Sequence, residues 1–213
     1  MQQLNLIDLP GDSTNFPTDG QLIAGIDEVG RGALFGPVVA AAVILPGQLW
    51  ETLMKAGVKD SKQLTPLRRQ QLAEQVQTAA LDCQIGLASA QEIDHLNILQ
   101  ASLLAMKRAI NSLNPQPHLC LVDGNQQIPS LEIPQKTLIK GDQRSLAIAA
   151  ASIIAKVWRD ALITQLATQY PDYDLASNKG YGSLKHRTAL KQIGPSPQHR
   201  LSFSPCRINS ASG

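Results

Sequence analysis

Two adjacent acids, Asp27 and Glu28, fall near the end of an apolar run from Leu22 to Val29. Charged side chains are rarely buried without a partner, so a carboxylate pair at a strand end calls for solvent or for a cation. Carboxylate oxygens are the hard ligands that Mg²⁺ and Mn²⁺ prefer. Asp123 follows a second apolar run, His118–Val122, and Asp142 stands in Lys140-Gly141-Asp142 just ahead of a long apolar helix. Each has an ordinary reading: an exposed strand end for the pair, an Asp-Gly turn for Asp123, a helix N-terminal acid for Asp142. Recurrence favours the sharper one. Three strand ends or junctions each present an acid, and open α/β sheets place their sites where such ends converge at one edge. Neighbours on a strand point to opposite faces. Asp27 is therefore expected to face the site and bridge metals, with Glu28 reaching around the strand end where Gly30 lets the chain bend.

Other motifs suggest what such a site would act on. Gly30-Arg31-Gly32 fails as a dinucleotide fingerprint, because the next glycine is Gly36 and Pro37 opens a strand rather than a helix. It does allow close backbone approach, and its amides can bond sugar hydroxyls or phosphate. In Lys179-Gly180-Tyr181-Gly182 the glycines bare a ring among basic residues, which suits stacking on a sugar or base. The alternatives are a plain turn and a packing tyrosine. Lys59-Asp60-Ser61-Lys62 is a charged loop that says little alone. No G-x-S-x-G elbow is present, no cysteine neighbours a histidine, and His95, His118, His186 and His199 lack zinc spacing.

The elements that must position these residues alternate between strand and helix. Strands are expected over Leu22–Val29, Val38–Leu45, Cys83–Ser89, His118–Val122 and Gln135–Ile139. Helices are expected from Pro66 with Thr65 as N-cap, over Ile98–Leu113, from Ser145 to Tyr170, and over Leu184–Ile193. Asp172–Ser183 reads as a loop, and the chain from Gly194 as extended. This is an α/β domain with a helical C-terminal part, spanning residues 21–205 between a polar arm, 1–20, and a tail, 206–213.

The 213 residues suffice for one substantial core, and 43% hydrophobic with 17% charged residues is ordinary for a soluble globular protein. Charge is unevenly spread. From Lys136 onward there are 11 Lys+Arg against 4 Asp+Glu, whereas residues 1–135 hold 8 against 13. A basic third of this kind suits a polyanion. Three scattered cysteines imply reduced thiols and a cytoplasmic protein. No apolar stretch is long enough to span a bilayer, so no membrane partner is expected.

Together the motifs resemble ribonuclease HII. The resemblance rests on Gly25–Gly32, Gly36–Val43, Asp60–Leu64, Val122-Asp123-Gly124, Lys140-Gly141-Asp142, Ala150–Val157 with Arg159-Asp160, and Lys179–Gly182, in order over roughly residues 22–205. It implies an RNase H-like fold, a mixed β-sheet flanked by helices. It implies a monomeric endonuclease cutting the RNA strand of RNA–DNA hybrids, and also 5′ to a single ribonucleotide in duplex DNA. The family's four metal-binding carboxylates fall on Asp27, Glu28, Asp123 and Asp142, which would hold two Mn²⁺ or Mg²⁺ ions. Its sensor of the ribose 2′-hydroxyl falls on Gly30, Arg31 and Gly32, and its junction-reading tyrosine on Tyr181. Ser61, Lys62 and Lys140 are carried over as substrate-binding. The sister ribonuclease HIII has an added N-terminal domain, for which the short arm leaves no room. Two other readings need less: a non-catalytic nucleic-acid module, which has no use for four acids, and a sugar-phosphate enzyme, which has no use for a basic third.

Overall fold

The computed structural model describes residues 20–59 and 61–207. Residues 1–19 of the expected arm, Asp60 of the charged loop and residues 208–213 of the expected tail lie outside the described residues. Five strands form one sheet: β1 (Ile23–Val29), β2 (Val38–Ile44), β3 (Asp82–Ala88), β4 (Leu119–Asp123) and β5 (Gln135–Leu138). Their order is β3-β2-β1-β4-β5. The first three are antiparallel neighbours, while β1, β4 and β5 run parallel. All seven residues of β2 are buried, as its unbroken apolar sequence requires of a strand covered on both faces.

The side-chain alternation of β2 divides the core. Ala40, Ala42 and Ile44 join Ala24, Ile26 and Val122 beneath α3 (Ala90–Leu96) and α4 (Ile98–Asn111). Ala41 and Val43 join the other layer, with α1 (Trp50–Lys55), α2 (Pro66–Ala79) and α5 (Leu146–Leu166). Caps fix where the helices begin. The Thr65 side chain accepts from Arg68 N with Pro66 in the first turn, Ser89 and Glu92 form a reciprocal capping box, and Ser145 caps α5. These starts set α5 across β1, where Gly25 abuts the Ala147 backbone too closely for any side chain.

Beyond the sheet, α6 (Leu175–Asn178) and α7 (Leu184–Ile193) pack with Leu34, Phe35, Ile163 and Tyr173 in a third cluster. The structure corrects several expected elements here. Helix α5 stops at Leu166, because the amides of Thr168 and Gln169 bond three residues back and close the helix in a tighter turn. The stretch after Pro171 holds a 3-10 turn (Pro171–Tyr173) and α6 rather than a plain loop. After Gly194 the chain turns repeatedly and ends in a second 3-10 turn, where Cys206 is buried in the third cluster. The helices α1 and α3, six and seven residues long, are too short to show a helical period.

The close approach of β1 to α5 yields a direct test. Gly25→Ala sets a methyl group against the α5 backbone, which cannot swing aside as a side chain would. Urea denaturation should show a loss of about 3 kcal/mol or more.

Candidate active site

The strand pairing explains why distant acids meet. β1 and β4 run parallel with Ile26 beside Val122, so the next residues, Asp27 and Asp123, stand side by side just where this pairing ends, each still paired on its other flank, with Ala41 and Leu138. β5 is parallel to β4, and the 3-10 turn after it carries Asp142 to that edge too. Asp27, Glu28 and Asp123 each offer an oxygen within 4.8 Å of the others. Asp27 and Glu28 reach this group from opposite faces, as neighbours on a strand must. Asp27 lies on the α5 side and bonds Ser152. Glu28 lines a hollow with Ser102, Leu103 and Met106 of α4 and with Asp123. Asp142 is buried nearby but stands outside the group of three.

Neighbouring groups hold these carboxylates in place. Asp123 Oδ1 accepts from Gly141 N at 2.7 Å, which ties β4 to the Asp142 turn. Asp27 Oδ1 accepts from Glu28 N at 2.8 Å. Arg31 Nη1 sits 3.0 Å from Glu28 Oε1 and Lys62 Nζ 3.4 Å from Asp142 Oδ2. Burial, then the charges of Glu28 and Asp123, pushes the Asp27 carboxyl well above the usual carboxylate range. Burial raises Glu28 as well, with Arg31 pulling the other way. Three crowded oxygens, one of them on a buried acid, match the donor set of a hard divalent cation, which would relieve the repulsion.

The turn after β1 is tight: Gly30 adopts φ +91° and its carbonyl accepts from Ala33 N. Arg31 and Gly32 are exposed, and their amides have no hydrogen-bond partner among the described residues. Tyr181 is half-buried, with Lys156 Nζ 5.6 Å and Arg159 Cζ 5.5 Å from its ring centroid. Lys62 and Lys140 are exposed. Ser61, expected as a substrate contact, is only 4% exposed, and its hydroxyl pairs with Ser152 Oγ at 2.9 Å.

Ser152 and Arg159 lie in the motifs that carry the resemblance but had no role assigned to them, and Arg200 had no signal in the sequence. Both arginines are fully buried. Arg159 donates to the carbonyls of Phe35, Pro37 and Lys179, and Arg200 to those of Arg31 and Gly36. The available signal for Arg159 was a cation within a helix that is otherwise apolar on most sides.

The sequence model of the family described as Ribonuclease HII matches residues 24–206. The chain belongs to this family. Ribonuclease HII of Trichodesmium erythraeum is 64% identical over 186 residues, covering 87% of this chain and 88% of that protein. Ribonuclease HII of Nostoc sp. is 63% identical over 188 residues, covering 88% and 84%. The crystal structure of ribonuclease H2 from Pyrococcus horikoshii aligns with a TM-score of 0.74 at 31% identity, over 88% of this chain and 96% of that one. The chain is thus an RNase H-type hydrolase that acts on nucleic acid, on an RNase H-like mixed sheet flanked by helices. Members of this family use divalent metals, and Asp27, Glu28 and Asp123 can bind one. Among the described residues, no helix is long and apolar enough to cross a membrane.

The raised Asp27 value fixes the sign of a stability test. The fold favours the neutral acid, so its contribution is full below about pH 4 and is lost as pH rises through the higher folded value. In metal-free buffer at pH 8, Asp27→Asn should melt above the parent, and the gap should close by about pH 3.5. Adding Mn²⁺ should raise the melting temperature of the parent and leave that of Asp27→Asn nearly unchanged.

Proposed function

We propose that this protein cuts the RNA strand of RNA–DNA hybrids and incises 5′ to single ribonucleotides embedded in duplex DNA, leaving 5′-phosphate and 3′-hydroxyl ends. The hybrid endonuclease activity follows from family membership. The finer reading rests chiefly on one juxtaposition: the three-carboxylate group lies directly beside the Gly30–Gly32 turn, whose Arg31 and Gly32 are exposed. Asp27, Glu28, Asp123 and Asp142 are assigned as holders of two Mg²⁺ or Mn²⁺ ions. When bound, such ions supply an activated water and neutralise charge on the leaving oxygen.

The chain's own groups do the rest. Ser152 and Ser61 brace Asp27, and the Gly141 amide orients Asp123. The amides of Arg31 and Gly32 donate to the ribose 2′-hydroxyl and its phosphate, reading sugar without reading sequence. Tyr181 stacks on the neighbouring deoxyribose, where a 2′-hydroxyl is absent. Lys62 and Lys140 meet phosphates, and the basic C-terminal third tracks the backbone. The protein is taken as a monomer acting in the cytoplasm, in keeping with its free cysteines.

Incubation with Mn²⁺ or Mg²⁺ and a duplex bearing one ribonucleotide tests the reading. A single nick 5′ to the ribonucleotide is expected, abolished by a chelator. Asp123→Asn should lower turnover by about 10³-fold or more while the melting temperature holds. Binding of hybrid without metal-dependent cleavage would instead make the chain a non-catalytic module.

A further inference from the structure

Two buried imidazoles have no part in this chemistry. His186 on α7 is 0% exposed and His199 2%, and their Nε2 atoms lie 2.9 Å apart. The outer nitrogens are engaged too. His199 Nδ1 is 2.9 Å from both the amide and the hydroxyl of Ser196. His186 Nδ1 is 2.9 Å from the carbonyl oxygen of Tyr181.

Both ends of this chain of bonds work in one direction only. An amide N–H can only donate, so His199 Nδ1 accepts and the ring proton is on Nε2. His199 Nε2 then donates to His186 Nε2. The His186 proton is left on Nδ1, where it donates to the Tyr181 carbonyl, which can only accept. Burial pushes His199 down to about 4 and lowers His186, so both rings are neutral at neutral pH.

The same short segment holds the sugar-reading turn. Gln198 O accepts from Gly36 N at 2.8 Å, and Arg200 N donates to Leu34 O at 2.9 Å. Arg200 Nη1 donates to Arg31 O at 2.9 Å. Residues 198–200 therefore hold segment 34–36 and, through Arg31 O, the Gly30–Gly32 turn on one side and, through two imidazoles, the Tyr181 carbonyl on the other. Rings of Phe35 and Tyr173 also pack on the pair, at 5.0 and 4.6 Å from His199. Packing alone would be served by apolar side chains, without the cost of burying polar ones.

We propose that His186 and His199 are positioning residues for substrate recognition, fixing the Tyr181 carbonyl so that the ring stays in register with the Gly30–Gly32 turn. This rests on the assignment of Tyr181 as a substrate contact. The two amide replacements at position 186 separate positioning from packing. His186→Asn keeps a donor near Nδ1, facing the Tyr181 carbonyl. His186→Gln keeps a polar group near Nε2 and fills the space better, but removes the side-chain bond to that carbonyl and leaves it only the Ser183 amide, 2.8 Å away.

Steady-state kinetics on a duplex with one ribonucleotide should show kcat/KM down ~10-fold in His186→Gln, mostly through KM, and within ~3-fold of the parent in His186→Asn. A packing role gives the reverse order, with activity following melting temperature. Equal or reversed ranks overturn the proposal. Tyr181→Ala is the control, with an expected loss of at least ~10-fold. A loss there with no difference between the His186 variants overturns the positioning role alone. No loss there overturns the Tyr181 assignment and the proposal with it. Long-range ¹H–¹⁵N spectra of the unaltered protein need no variant to fold: His186 should carry its proton on Nδ1 and His199 on Nε2, and the opposite tautomer at either ring contradicts the proposal.

Discussion

The parallel pairing of β1 with β4, Ile26 beside Val122, places two carboxylates side by side where that pairing ends, and much of the molecule accommodates it. Asp27 is held nearly out of water beside Glu28 and Asp123, so its charged form is disfavoured. Helix α5 answers on one side. Its close approach at Gly25 is what allows Ser152, further along the helix, to reach Asp27. The turn after β5 answers on the other, with the Gly141 amide on Asp123. A tighter or looser packing of α5 would move Asp27 relative to both neighbours. The Ala-rich stretch at the start of α5, Leu146–Ala151, is thus as much a part of the site as the acids are.

A second constraint ties the site to the surface that would meet nucleic acid. Arg159 and Arg200 are buried cations whose hydrogen bonds go to backbone carbonyls. A guanidinium offers donors in a rigid fork, so each can hold several chain segments in fixed relation. Burial lowers both, Arg200 to about 9, which records how much hydration they give up. Arg159 fixes segment 35–37 against Lys179, and Arg200 fixes Arg31 and Gly36. The glycines at 30 and 180 leave the room that lets Arg159 approach, while Gly36 leaves room for Ile163.

Much of this was legible in the residues. The five strands, the capped α2 and α5 and the convergence of the acids follow from alternation, cap chemistry and strand-end placement. So does the opposed orientation of Asp27 and Glu28. What escaped has physical reasons. Short helices such as α1 and α3 present too few turns to show a period. Ser61 looked like a surface contact because a serine between Asp60 and Lys62 says nothing of burial. Ser152, Arg200 and the His186–His199 pair act through partners 13 to 169 residues away, and a single sequence carries no mark of such pairings. Asp142 reached the expected edge, but only the distances between carboxylate oxygens show that it stands apart from the tight group of three.

Asp27, Glu28 and Asp123 are placed to act as one metal-binding group where the β1–β4 pairing ends. Anomalous diffraction from crystals grown with Mn²⁺ tests this most directly. The strongest peak should lie within about 2.0–2.4 Å of carboxylate oxygens of at least two of these three residues. A strongest peak elsewhere, with those carboxylates unligated, would contradict it.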